Sequence, residues 1–402
     1  MLLIYPMLLF ASLTYSPNYS KEVEVLESFD IEPSFLYDPI MNSMLKSNST
    51  LKRHEMFLRT MRNAYYFIPT IKNILNEYKI PSSFLFLAMA ESNFSNRAYS
   101  NKRASGLWQF MPQTAKIYNL KIDEYVDERR DLIKSTRAAA KHLLNLYDRF
   151  GKWYLAAIAY NCGEGTLERA IKRANSRNIA VLLDEHKKYI PRESRYYLRK
   201  IVALSLIGNN EKFIESNEYG HLLNRENAYT IANVKLPRGE SLSRVAKLIA
   251  LPLKKLKKLN RQLKYDFIPP YTRNYDIYIP YTKLSEFKRK YHPKSINKIY
   301  KIYIVKRGDN LYNIGKRYRV PYKVIMDFNK LKSNRLQIRQ RLILPITEKT
   351  KKIKSKFYYT VKEGDSLESI SKVYKISIRN LKAQNSLNSS LIRIGERLKI
   401  YE

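Results

Sequence analysis

Between residues 51 and 215 apolar side chains return every three or four positions. "YYFIPTIKNILNEY" (65–78), "PSSFLFLAMAES" (81–92), "STRAAAKHLLNLYDRF" (135–150) and "WYLAAIAYN" (153–161) all do so, which is the period of helices that bury one face. The spacing predicts an α-helical domain over 51–215. Ser135 is the expected N-cap of the third stretch and Gly151 its stop. From about residue 228 the pattern changes. Short strand-like runs, "DIYIP", "KIYIV", "RLILP", "FYYTV" and "RLKIY", now flank short helical stretches. The chain is therefore read as multidomain, a mainly α part followed by small α+β units.

The second part repeats itself. "RGDNLYNIGKRYRVPYKVIMDFN" and "EGDSLESISKVYKISIRNLKAQN" run from Gly308 to Asn329 and from Gly364 to Asn385, and a fainter copy runs from Gly239 to Asn260; each interval is 21 residues. Apolar positions coincide across the copies: Leu242, Leu311 and Leu367, then Val245, Ile314 and Ile370, then Leu251, Val320 and Ile376. A repeated small fold must bury the same faces each time, so the coincidence predicts one small fold present three times. The copies resemble LysM modules, and the resemblance implies small β-α-α-β domains that bind glycans containing N-acetylglucosamine. The first copy departs from the pattern, with Glu240 in place of Asp and a tail through Pro269 and Pro270. The Gly-Asp-x-Leu turn is read as shaping the fold, with ligand contacts expected from the surrounding loop backbone.

Composition narrows the partners. The 402 residues carry 74 Lys and Arg against 36 Asp and Glu, a net charge of +38. That excess suits a polyanionic partner such as an anionic envelope polymer, a membrane surface or nucleic acid, and equally suits a coding bias toward Lys and Tyr. No nucleic-acid reading motif accompanies it, so nucleic acid is not expected. The single Cys162 excludes an intramolecular disulfide, and the five His show no metal-ligand spacing. Neither a metal nor a cofactor is expected. The start, "MLLIYPMLLFASLTYS", has the length of a secretory apolar region and is short for a membrane span, though it lacks a leading Lys or Arg and a clean cleavage site. Residues 1–16 are read as an export signal or, uncleaved, as a membrane anchor, which places the protein in the periplasm or cell envelope.

One carboxylate stands out. Glu91 ends the apolar run "FLFLAMA" and precedes "GLWQFMP". A buried structural acid would have a cation beside it, and a solvated one would not need an apolar approach. Phe84, Leu87 and Ala88 on the preceding turns can desolvate the carboxyl and raise its pKa, which keeps a proton available near neutral pH. "AESNF" (90–94), Ser100, "GLWQFMP" (106–112), "AYNCG" (159–163) and "IPRESRYY" (190–197) follow one another in the order of the motifs of the lytic transglycosylases, and the helical half resembles that family, some of whose members join such a domain to LysM modules.

The resemblance implies a lysozyme-like helical domain that acts on peptidoglycan glycan strands. It makes Glu91 the acid and then the base. It further implies that the N-acetyl group of the substrate supports charge at the anomeric carbon while the muramoyl C6 hydroxyl closes a 1,6-anhydro ring, so the β-1,4 bond from N-acetylmuramic acid to N-acetylglucosamine breaks without water. No obvious second carboxylate shares the motif cluster, which agrees, because a paired-acid hydrolase would need one. By the same resemblance Ser100 bonds the catalytic carboxyl, Gln109 and Met111 contact glycan, Tyr160 and Asn161 contact the reacting sugar, and Tyr197 completes the site. Trp108 and Leu107 are expected in the core, Cys162 as an inert small residue, and Glu193 as either a site residue or an ion-pair partner of Arg192 or Arg195.

The division expected is 1–16 signal or anchor, 17–50 N-terminal extension, 51–215 catalytic domain, 228–281 degenerate LysM-like module, 282–299 linker, 300–346 LysM module, 347–356 linker and 357–402 LysM module. Two alternatives stay open: a muramidase of the same fold, which would add water, and a non-enzymatic LysM cell-wall scaffold, against which the intact motifs around Glu91 argue.

Overall fold

The order of helices and strands follows the two patterns of the sequence. A computed structural model describes residues 19–48, 51–210, 214, 230–293, 300–346, 356–374 and 376–401. The chain divides into two units, residues 1–293 and 294–402. The expected signal or anchor, 1–16, lies outside the described residues, and among those described no helix is long and apolar enough to cross a membrane.

Eleven helices are described before residue 209: α1 Tyr19–Glu27, α2 Pro39–Asn48, α3 Leu51–Asn63, α4 Ile68–Glu77, α5 Leu85–Ser92, α6 Pro112–Ile117, α7 Leu132–Phe150, α8 Trp153–Cys162, α9 Glu164–Ala174, α10 Ile179–Leu182 and α11 Arg192–Gly208. α8 is buried from Tyr154 through Ala159 and carries no charged residue, so it runs through the interior with α7 and α11 against it. α11 also meets α5, α1 and α2. Its approach to α5 depends on Gly208, where a Cβ would stand 2.0 Å from the ring of Phe86. Residues 19–48, expected as an extension, belong to this core: Leu26, Phe29 and Met41 are wholly buried, and Asp38 pairs with Arg199 of α11 at 3.0 Å.

The third expected helix begins one turn early. Asp131, not Ser135, is its N-cap; the Asp131 carboxylate accepts the Lys134 N–H at 2.9 Å, and Ser135 is buried inside the helix. Leu132 is also buried, so the apolar face already includes that first turn. Gly151 ends the helix in the left-handed region (φ +70°), its N–H bonded to Tyr147 O.

Three two-stranded antiparallel sheets follow: β1 Ile231–Pro237 with β2 Asn274–Pro280, β3 Lys301–Ile304 with β4 Arg341–Leu344, and β5 Lys356–Thr360 with β6 Arg397–Tyr401. Two short helices lie between the strands of each pair, and Leu242, Val245, Leu311, Ile314, Leu367 and Ile370 fill the three cores. The asparagine that closes each 21-residue interval does the same work three times. Asn329 donates to Ile325 O and Ile343 O and accepts the Ile343 N–H at 2.7 Å. Asn260 is bonded likewise to Leu256 and Tyr278, and Asn385 to Leu381 and Lys399. It ties the second helix to the closing strand. The turn aspartates are structural as well: Asp309 accepts from the Tyr303 hydroxyl and the Lys306 N–H, and Asp365 from Tyr359 and Lys362.

The stretch 282–299, expected as a linker, departs from that reading. A helix forms at Leu284–Lys290 with Phe287 buried, and the Tyr291 hydroxyl donates to the buried Glu240 carboxylate at 2.9 Å. The first module thus extends to at least residue 292; residues 294–299, like 347–355, lie outside those described.

Candidate active site

The run Leu85–Met89 buries every residue of the first turns of α5. Glu91 follows in the last turn. Asn93 and Phe94 both take the left-handed conformation (φ +50° and +56°), so the backbone turns off sharply and leaves the carboxyl at the helix end. Glu91 is only partly exposed. Burial pushes its pKa up to about 7, and the charge of Glu193 adds to that, against the opposing effects of a hydrogen bond from Tyr197 and the charge of Lys200. The Tyr197 hydroxyl donates to Glu91 Oε1, and burial holds Tyr197 far above the range in which it could lose its own proton. Lys200 donates to Ala90 O at 2.7 Å, and burial lowers its pKa.

The opposite side is a folded loop, residues 98–111. Gly106 N–H bonds to Ala98 O, and Ser105 N–H to Phe110 O. Trp108 is wholly buried and donates its indole N–H to Thr136 at 2.9 Å; Leu107 is wholly buried too. Both are core, as expected. Gln109 adopts φ +48° and its amide donates to Gly106 O at 2.8 Å, while Met111 is 42% exposed. Ser92, which the sequence reading passed over, donates to Leu107 O at 2.7 Å and so joins this loop to the helix of Glu91.

Tyr160 lies under the loop, its hydroxyl donating to Trp108 O at 2.8 Å and its ring 5.2 Å from that of His142. The charge of Glu91 and burial both raise the Tyr160 pKa, burial the more. Glu91, Tyr197 and Tyr160 are therefore electrostatically coupled in one place. His142, which meets the Tyr118 hydroxyl through Nδ1 at 3.0 Å, was not singled out from the sequence because its motif carries no catalytic pattern. Asn161 accepts from the Ser194 hydroxyl at 2.7 Å and fastens the end of α8 to the start of α11.

Two expected contacts take other forms. The Ser100 hydroxyl accepts the Ala104 N–H at 3.0 Å, which stiffens the loop; this bond is to backbone and not to Glu91. Arg195 pairs with Glu185 at 2.8 Å and Arg192 lies over the Tyr196 ring, so Glu193, exposed at the start of α11, acts on Glu91 through its charge. Cys162 is half-buried, and burial raises its thiol pKa, as suits an unreactive residue. Among the described residues no cluster of three or more His, Cys, Asp or Glu could hold a metal.

Three parts of the chain match known domain families. Residues 69–183 match the transglycosylase SLT domain, residues 230–296 the LysM-like domain of lytic transglycosylase MltD, and residues 303–345 and 359–400 the LysM domain. The chain joins a transglycosylase SLT domain to LysM modules. Its helical part is accordingly lysozyme-like. The membrane-bound lytic murein transglycosylase D of Escherichia coli K12 is 28% identical over 365 residues, 87% of this chain and 78% of that protein. The probable peptidoglycan endopeptidase LytE of Bacillus subtilis is 35% identical over 100 residues, 24% of this chain and 30% of that one. Among solved structures, the Slt lytic transglycosylase of Pseudomonas aeruginosa (inactive mutant E503Q) has a TM-score of 0.32 at 20% identity over 46% of this chain, and the 70 kDa soluble lytic transglycosylase of E. coli one of 0.30 at 20% over 49%; the match spans 31% and 29% of those chains. The SLT match holds Glu91, Ser100, Gln109, Met111, Tyr160 and Asn161, and stops before Tyr197, whose hydroxyl meets Glu91. The LysM-like match runs to residue 296, past the helix at 284–290.

Proposed function

We propose that this protein is an exported peptidoglycan lytic transglycosylase of the cell envelope, acting in the periplasm, with Glu91 as its single acid and base. Peptidoglycan as substrate agrees with the names of the relatives, and the observation that carries the reading is the Glu91 carboxyl, held near neutral pKa with a Tyr197 hydroxyl on Oε1. An acid with a pKa of about 7 can give up a proton and take one back at the same pH, and one residue can then serve both halves of the reaction.

Protonated Glu91 donates to the glycosidic oxygen as the bond to the anomeric carbon breaks. The carbonyl oxygen of the substrate's N-acetyl group closes onto that carbon. The C6 hydroxyl of the same sugar then displaces it, and the Glu91 carboxylate takes the C6 proton. Protons balance, Glu91 ends neutral as it began, and no water enters. Tyr197 is the fixed donor that keeps the ionised intermediate form of Glu91 from becoming too basic. Ser100, Gln109, Met111, Tyr160 and Asn161 form or support the cleft that binds the glycan. The second and third LysM modules hold glycan with N-acetylglucosamine, and residues 1–16 direct export or anchor the chain to the membrane. Digestion in heavy-oxygen water tests the reaction: the new ends take up no solvent oxygen, whereas a muramidase would place it at the anomeric carbon, and a scaffold would release nothing.

A further inference from the structure

The first LysM-like module is joined to the SLT domain in a way that reaches the cleft. Its 262–264 segment runs antiparallel to residues 125–127: Val126 bridges Leu263, the Asp127 N–H bonds to Gln262 O at 2.8 Å and the Lys264 N–H to Tyr125 O at 2.9 Å. From β2, the Tyr275 hydroxyl donates to Glu128 at 3.0 Å and the Tyr278 hydroxyl to Asp131 at 2.7 Å, all four residues buried. Residues 125–131 are therefore held from one side by the module.

Their other side holds the cleft loop. Arg129, buried and paired with Asp127 at 2.9 Å, donates from one nitrogen to Arg103 O at 2.7 Å and Phe110 O at 3.1 Å, the two ends of the segment that carries Gln109. Gly106 lies so close that a Cβ would stand 1.8 Å from Arg129 O. Buried charge-assisted bonds of this kind fix a loop only while the segment that bears them stays in place.

The module has also closed its own turn. Gly239 and Ile268 bond backbone to backbone, Ile268 N–H reaches Glu240 O, and Leu242 N–H bonds to Asp266 O, each at 2.9 Å. Among the described residues no such backbone bonds join turn 308–311 to 331–338, or turn 364–367 to 387–394. The first module has spent on itself the loop backbone that the other two leave open.

We propose that the first LysM-like module is a positioning element of the catalytic site, clamping residues 125–131 so that Arg129 sets the 103–110 loop, and not a third glycan reader. Its bearing on catalysis rests on the reading of that loop as a wall of the cleft. Full-length Tyr275→Phe/Tyr278→Phe, which removes both hydroxyls, and Leu263→Lys, which puts an ammonium into the buried bridge, are compared with wild type by hydrogen exchange and by turnover of soluble glycan. In both variants the amides of 103–106 exchange about tenfold faster while those of α8 keep their wild-type rate, and kcat falls more than KM changes. Exchange across 103–106 that stays at the wild-type rate in both variants overturns the proposal. Because exchange is read without substrate, that outcome is distinct from a wild-type protein that cleaves no glycan, which would overturn the proposed function instead.

Discussion

The hydroxyl of Tyr197 donates to the carboxyl of Glu91 across 106 positions of chain, and the two groups shift each other's pKa in the opposite sense. A donor to the ionised form lowers the Glu91 pKa; the charge of Glu193 raises it. On the proposed mechanism catalysis begins from protonated Glu91, so kcat/KM should fall as pH rises through about 7. Tyr197→Phe removes the donor and moves this alkaline limb to higher pH. Glu193→Gln removes the like charge and moves it to lower pH. Rate profiles of the two variants on soluble glycan check both signs; limbs that shift together would show that Glu91 does not set the profile.

Glu91 also makes stability depend on pH. Its folded pKa, about 7, exceeds the ordinary 4.5, so the contribution to stability is complete below 4.5 and is lost as pH rises toward 7. Above that, the ionised carboxylate costs the fold up to about 3 kcal/mol. Glu91→Gln has no such titration. Thermal melts should show the variant gaining several degrees over wild type between pH 5 and pH 8, with little difference at pH 4.

Much of this site is legible in the sequence, and the remainder is absent for identifiable reasons. An acid after "FLFLAMA" announces desolvation by itself, and burial of Trp108 and Leu107 follows from their motif. That Tyr197 meets Glu91, or that Ser100 spends its hydroxyl on the Ala104 N–H, depends on how α11 and the 98–111 loop fold back, which spacing does not encode. Asp131 and Ser135 are both good caps; which one serves is decided by burial of Leu132 one turn earlier. The Lys and Arg run at 288–290 masks Phe287 and Tyr291, whose packing carries the first module beyond 281. Docking of that module is made by backbone and tyrosine hydroxyls, and hydrophobic periodicity does not register either.

Asn329 offers a test of the repeat. Its side chain satisfies both backbone groups of Ile343 in β4. Asn329→Ala leaves them without partners and should destabilise the second LysM module by about 2 kcal/mol. Hydrogen exchange at 341–344 should accelerate, with no change in the SLT domain.

On the proposed reading the two later LysM modules and the positive charge should contribute separately to holding the wall. Deleting residues 300–402 should weaken binding to sacculi and slow digestion of insoluble murein, with turnover of short soluble glycans largely unchanged, because tethering raises local concentration without adding a catalytic group. Charge attraction fades as the screening length falls from about 10 Å at 0.1 M salt to about 3 Å at 1 M. Binding that persists in high salt is then due to the modules. Equal sedimentation of full-length and truncated protein at both salts would remove them as the anchor.

The central claim is that Glu91 alone, as acid and then base, cleaves the glycan without water. Mass spectrometry of the fragments released from purified peptidoglycan tests it most directly, with wild type and Glu91→Gln digested side by side. The account predicts wild-type fragments lighter by one water than their hydrolysed counterparts and no fragments above background from the variant, a loss of at least about a hundredfold. Hydrated ends from the wild type, or ordinary activity in Glu91→Gln, would contradict it.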